Sequence, residues 1–141
     1  MPRYAASRVL PATVEDVWAV LEDAERFPVW WPGVDRVEPS VRRAVAPGAL
    51  WKVEGRNQLS LLRRSPQLSG TLLVFDVVPR SRLVFQLTDA RIDAGLELIA
   101  TEDGQTAATL TVEAPRFSGV GRAFPSQALA SLAALVRPAD A

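Results

Sequence analysis

The sequence predicts an α+β fold, in which a curved, seven-stranded antiparallel sheet wraps around a C-terminal helix and two short helices follow the first strand. Between residues 34 and 114, six strand-like segments follow one another with short links, which favours an antiparallel meander. The last segment, PSQALASLAALVR, is helical but has little polar face. Such a helix must be buried against other apolar surfaces, and the apolar inner face of the sheet must be buried too. Packing the helix against that face satisfies both requirements.

The N-terminal part predicts a strand and then a helix. Residues 3–10, RYAASRVL, have the character of a strand, and Thr13 suits the N-cap of the helix that follows. Pro28 and Pro32 prevent a long continuation, so AERFPVWWP predicts a second short helix or a turn. The first helix has an apolar stripe at i, i+3, i+4 and i+7, formed by Val14, Val17, Trp18 and Leu21.

Turn residues separate the remaining segments. Pro47 and Gly48 form one turn, Pro79 and Ser81 bound another, and residues 102–104 give a hairpin signal. The final helix starts near Pro125 and ends before Pro138. The predicted strands after the first are residues 34–43, 49–58, 67–78, 82–89, 95–102 and 106–114.

Composition restricts the possible functions. The chain has 141 residues, which predicts a single domain over residues 1–141. Its formal net charge is +0, so charge predicts no nucleic-acid partner. Cysteine and histidine are both missing, which removes the commonest metal ligands and the commonest general base. No metal and no cofactor are therefore expected, and any catalysis must use other side chains.

The apolar segments are short. The run ALASLAALV near the C-terminus is far below the about 20 residues that a membrane span needs, and the N-terminus lacks the apolar core of a signal peptide. A cytoplasmic protein without stable membrane insertion is therefore expected. The sequence leaves the oligomeric state open, including a homodimer.

The stretch VLPATVEDVWAVLEDAERFPVWWPGVDRVE, residues 9–38, resembles the START-like, or SRPBCC, superfamily of helix-grip proteins, which includes the polyketide cyclase and dehydrase family. Residues 48–55, 77–85 and 93–113 match the later strands of that superfamily in type and order. The resemblance implies an apolar cavity between the sheet and the C-terminal helix. It also implies hydrophobic ligands such as lipids, sterols or polyketides.

Strand parity, together with the resemblance, predicts which residues line this cavity. In a strand alternate side chains share a face, so Trp51 and Phe85 belong with the inward residues. Phe75 is assigned to the cavity on a strand that is apolar on both faces. The predicted ligand-cavity residues are Trp30, Trp31, Trp51, Phe75, Phe85, Leu98, Leu110 and Leu132.

The two adjacent tryptophans are expected to differ. Neighbouring side chains in an extended or turn conformation cannot both fill one site, so Trp31 is predicted to pack inside and Trp30 to lie nearer the solvent or the cavity mouth. The resemblance places this elbow at the rim of the cavity. The alternative, that each tryptophan only closes the core, stays open.

Few polar residues are candidates for chemistry. Asn57 and Asp89 continue the inward phase of their strands, and Tyr4 is a third candidate for a catalytic residue. Asn and Asp near strand ends also serve turns, which is the competing interpretation. The hairpin segment LSLLRRSP, residues 59–66, is either a flexible lid or membrane-touching tip that helps an apolar ligand enter, or a solvated hairpin whose leucines pack on their neighbours.

Three functions are compatible with these observations. The leading one is a protein that binds or carries a small hydrophobic ligand. The second is a polyketide cyclase, aromatase or dehydratase that acts by positioning and proton shuttling. The third is a regulatory interaction module, in which a final helix shorter than is usual in the superfamily leaves a groove for a partner.

Overall fold

The computed structural model describes residues 2–39, 47–54, 70–116 and 120–137. A 3₁₀ turn, Ala24–Arg26, links the first two of its helices. The helices are α1 (Val14–Leu21), α2 (Phe27–Trp30) and α3 (Phe124–Val136). The strands are β1 (Arg3–Leu10), β2 (Arg36–Pro39), β3 (Leu50–Glu54), β4 (Gly70–Val78), β5 (Arg82–Leu87), β6 (Ile92–Ala100) and β7 (Thr106–Glu113).

The seven strands form one sheet in the order β1-β7-β6-β5-β4-β3-β2, and every neighbouring pair is antiparallel. The C-terminal helix α3 packs against β1 and β7 and also against α2. Its buried residues include Leu129, Leu132 and Ala133, which form an apolar stripe at i, i+3 and i+4 on one side of the helix. The predicted helix-grip fold is therefore confirmed.

Local sequence explains where α1 begins. The Thr13 side chain accepts a hydrogen bond from the Asp16 backbone N–H at 3.2 Å, as expected for an N-cap. Glu15 and Asp16 lie in the first turn, where negative charge is favourable. Val17, Trp18 and Leu21 are buried, so the predicted stripe faces the core.

Some strand limits differ from the predicted ones. β6 begins at Ile92, three residues before the predicted start at 95, because the preceding turn closes at Arg91, whose φ is 57°. The Arg91 N–H donates to the Thr88 carbonyl in this turn. The predicted strand segments 40–43, 55–58 and 67–69 and the hairpin 59–66 lie outside the described residues.

A bulge in β4 changes which side chains face inward. Val74 pairs with Phe85 and Asp76 pairs with Val84, so Phe75 is an extra residue. Leu72 and Val74 are buried before the bulge, whereas Phe75 is 52% exposed. The predicted cavity position of Phe75 is therefore wrong. Leu72 and Val74 face inward before the bulge, and Val77, which pairs with the buried Leu83, packs on the core after it. Phe75, the extra residue between them, faces outward.

The inner face of the sheet is built from paired apolar residues. One row runs from Trp51 to Leu72, Leu87 and Ile92 across β3, β4, β5 and β6. All four are buried in the hydrophobic core. The helix α3 has 13 residues, and in the described ranges no helix is long and apolar enough to cross a membrane.

Thr106→Val should destabilise the fold. The buried Thr106 hydroxyl donates to the Ala12 carbonyl at 2.8 Å and ties the start of β7 to the connection after β1. Its loss should lower the free energy of unfolding by about 1–3 kcal/mol, measured by urea denaturation. The matched control is Thr109→Val, whose exposed hydroxyl pairs with Ser7 and whose loss should change stability by less than about 0.5 kcal/mol. Equal effects of the two variants would contradict this role.

Candidate functional site

Aromatic rings from the helices and the sheet meet between α2, α3 and the inner face. Each of these rings is at most 3% exposed. They come from α2 and the residue after it, from β3 and β5, and from the first residue of α3. The aromatic cluster, as we call it, consists of Phe27, Trp30, Trp31, Trp51, Phe85 and Phe124.

Phe27 is the ring that joins this cluster. Its ring centroid lies 5.3 Å from that of Trp30 and 5.5 Å from that of Trp31. It also lies 5.5 Å from Phe85 and 6.4 Å from Trp51 on the sheet. Most of these pairs meet edge to face, and Phe27 stacks on Trp31 with an interplanar angle of 18°. One phenyl ring therefore bridges α2 and two strands.

Both adjacent tryptophans are buried, so the prediction that Trp30 lies nearer the solvent is wrong, whereas its predicted alternative place at the cavity agrees with the lining described below. Trp30 is 2% exposed and Trp31 is 1% exposed. Trp30 ends α2, and at Trp31 the backbone becomes extended, with ψ of 115°. Residues three and four positions after Phe27 lie on its side of a helix, so both indoles meet its ring. The ring centroids of the two indoles lie 5.6 Å apart, and the ring planes are nearly perpendicular.

A small apolar cavity lies within this packing. Its volume is about 10 Å³, which is about the space that a single water molecule needs. Pockets for drug-sized ligands are commonly about 300–1,000 Å³. A ligand larger than water must therefore displace side chains to bind here. The lining residues are Leu21, Phe27, Trp30, Trp51, Leu72, Val74, Leu83 and Phe85.

Two polar atoms in the cluster have no hydrogen-bond partner within the part of the chain that the structure describes. Among the described residues, the buried Nε1 atoms of Trp31 and Trp51 have no acceptor. Trp51 lines the cavity, and Trp31 packs on Phe85, another lining residue, at 5.1 Å. More than about 90% of buried polar groups in proteins are paired, so these two donors are unusual.

The predicted cavity residues have different positions. Trp30, Trp51 and Phe85 line the cavity. Trp31 lies beside it in the aromatic cluster. Leu98, Leu110 and Leu132 are buried in the same core but are not lining residues of this cavity, and Phe75 lies on the outer face.

Sequence reasoning missed five lining residues, namely Leu21, Phe27, Leu72, Val74 and Leu83. The spacing of Phe27 to the two tryptophans was a usable signal, because i, i+3 and i+4 residues meet on a helix. Leu83 shares the predicted inward face of Phe85. The inward phase of Leu72 and Val74 depends on the bulge, which the sequence does not mark.

The polar candidates do not line this cavity in the described residues. Tyr4 is half-buried on β1, paired with Val112. Asp89 is exposed in the turn after β5, and its carboxyl group lies so close to Gly70 that a Cβ there would collide with it. Asn57 lies outside the described residues. The buried hydroxyl of Thr106 is occupied by its bond to the Ala12 carbonyl.

A larger depression, of about 280 Å³, lies on the outer face of the sheet. Although larger, it is lined mainly by charged and hydroxyl-bearing side chains, and ion pairs such as Arg82 with Asp76 at 2.7 Å lie at its edge. The interior cavity, whose lining side chains are aliphatic and aromatic, is therefore the candidate site for an apolar ligand. The lining of the outer depression includes Arg3, Arg82, Val84, Asp93, Glu97, Thr109, Thr111 and Glu113.

Residues 1–137 match the sequence pattern of the family described as polyketide cyclase / dehydrase and lipid transport. Among curated proteins, no sequence matches the chain.

Solved structures resemble the chain in fold. A protein from Nitrosomonas europaea superposes with a TM-score of 0.68 and 15% identity over 95% of this chain and 93% of its own. A protein from Chromobacterium violaceum gives 0.64 and 21% over 98% and 99%. The Aha1 dimer from Colwellia psychrerythraea gives 0.62 and 15% over 96% and 93%. At these identities the likeness concerns the fold alone.

Trp30→Ala and Trp31→Ala should each lower the free energy of unfolding by about 3–5 kcal/mol, because both remove a buried ring from the aromatic cluster. The measurement is urea unfolding followed by circular dichroism. Phe75→Ala is the control, since this exposed ring should contribute less than about 0.5 kcal/mol. A Trp30→Ala effect as small as that of the control would show that this ring does not hold the core together.

Proposed function

We propose that this chain, which belongs to the polyketide cyclase / dehydrase and lipid transport family, binds a small hydrophobic ligand at the aromatic cluster. The observation that carries the proposal is the interior cavity whose lining consists of aliphatic and aromatic side chains. Burial of apolar ligand surface is the driving force available in such a site.

The ligand makes its own space by moving side chains. α2 has only four residues, too few to be stable by itself, and it packs on α3 next to the cavity. A ring compound that buries about 200 Å² of apolar surface gains about 5 kcal/mol. Each aromatic pair contact that is given up costs about 0.5–1.5 kcal/mol, so binding requires that α2 shift without losing most of the ring contacts of Phe27. A modest shift of α2 is therefore the proposed route for the ligand.

The side chains around the cavity favour binding without conversion. Proton shuttling needs an acid or base within hydrogen-bond reach of the ligand. In the described part of the chain, the lining residues carry no such group, and Tyr4 and Asp89 are not among them. A purified sample that converts a polyketide-like substrate would favour the cyclase alternative instead.

Val74→Leu should weaken binding of a bicyclic hydrocarbon such as tetralin by about tenfold, because an extra methylene group occupies part of the small cavity. The measurement is an NMR titration of the tryptophan indole signals. Val84→Leu is the matched control, because the same change is made in the outer depression on the neighbouring strand. Its affinity for tetralin should equal that of the wild type.

Equal affinities in all three proteins would contradict binding at the interior cavity. Weaker binding in Val84→Leu alone would place the ligand on the outer face and overturn the proposal. Urea unfolding of both variants checks that each retains the fold. Native mass spectrometry of the protein as purified gives the mass of any retained ligand. It also shows whether the chain is a monomer or a homodimer.

A further inference from the structure

Trp51 joins an apolar cavity to a hydrogen-bond donor that has no partner. Its side chain is 3% exposed and lines the cavity, and its Nε1 atom has no acceptor among the described residues. A buried donor left without an acceptor costs about 1–3 kcal/mol. The other lining residues are Leu, Val, Phe and Trp, none of which has a side-chain acceptor oxygen.

A second donor of the same kind lies one ring away. Trp31 is 1% exposed, and its Nε1 atom also has no acceptor in the described residues. Phe27 contacts the rings of both tryptophans, with centroid distances of 5.5 Å to Trp31 and 6.4 Å to Trp51. Indole N–H groups only donate hydrogen bonds, so the Nε1 atoms of Trp31 and Trp51 can pair with an acceptor but not with a ligand N–H group.

We propose that the ligand is an apolar ring compound bearing a carbonyl-type oxygen, which accepts a hydrogen bond from Trp51 Nε1. This inference rests on the proposed function and adds the polar group of the ligand. The cavity of about 10 Å³ next to Trp51 has room for one small polar group, such as a water molecule or a ligand oxygen.

The proposed hydrogen bond from Trp51 Nε1 to the ligand would make the site selective for ligands that carry an acceptor. A site built to hydrogen-bond a ligand group discriminates against the analogue that lacks the group, because the buried partner is then left unpaired. A hydrocarbon would leave Trp51 Nε1 unsatisfied, whereas a ketone of the same shape would satisfy it. The ketone 1-tetralone and the hydrocarbon tetralin form such a pair, since they share one bicyclic frame and differ in a single carbonyl group.

The test compares the affinities of 1-tetralone and tetralin by NMR titration. In the wild type, 1-tetralone should bind about two- to tenfold more tightly than tetralin. Trp51→Phe keeps an aromatic ring but removes the donor, so it should lower the ratio of the two affinities by about tenfold or more. Trp30→Phe is the matched control, because it shrinks a lining ring by the same amount and leaves both unpaired donors in place. It should change both affinities and keep their ratio.

A second readout uses the wild type alone. Binding of 1-tetralone should move the Trp51 indole N–H proton signal downfield, as a new hydrogen bond requires, and tetralin should not. If Trp51→Phe does not fold, this signal decides the question by itself.

The outcomes separate the two proposals. Equal binding of the two compounds to the wild type, an unchanged ratio in Trp51→Phe, or no downfield shift would overturn the carbonyl proposal and leave hydrophobic binding in place. Binding of neither compound would overturn the proposed function and the carbonyl proposal with it.

Discussion

The contacts of the Phe27 ring are the interaction on which this structure depends. From α2, this ring meets the two following tryptophans and the sheet residues Trp51 and Phe85. Trp31 then extends the cluster to Phe124 at the start of α3, with ring centroids 5.0 Å apart. A four-residue helix has little stability of its own, so these ring contacts fix where α2 lies. The closure of the sheet's inner face by α2 depends on them, whereas α3 also packs on β1 and β7.

The same residues stabilise the fold and form the candidate site, so tighter packing of the core leaves less volume for a ligand. Dense ring packing leaves a cavity of only about 10 Å³, so the site and the core compete for one space. Two indole donors, which have no acceptor among the residues that the structure describes, show where this packing is incomplete. A ligand that replaces one ring contact and supplies an oxygen acceptor would satisfy the chemistry of the site better than the empty form does. Weak local stability of α2 is then a requirement for binding.

The fold was predictable from the sequence because its signals are local and repeated. The limits of β1, the N-cap at Thr13 and the apolar stripe of α3 all follow from periodicity and capping. The site was predictable only in part, because cavity positions depend on exact phase. One extra residue in β4 turned Phe75 outward. The helical geometry of residues 27–30 brought Trp30 and Trp31 into one cluster, which a turn would have separated.

The central claim is that an apolar ligand binds inside, between the sheet and α2, and intermolecular nuclear Overhauser effects test it most directly. With tetralin bound, the account predicts contacts from the ligand protons to the methyl groups of Leu72, Val74 and Leu83, which line the interior cavity. The methyl groups of Val84 and Thr111 in the outer depression should show none. Contacts confined to the outer pair would contradict the account.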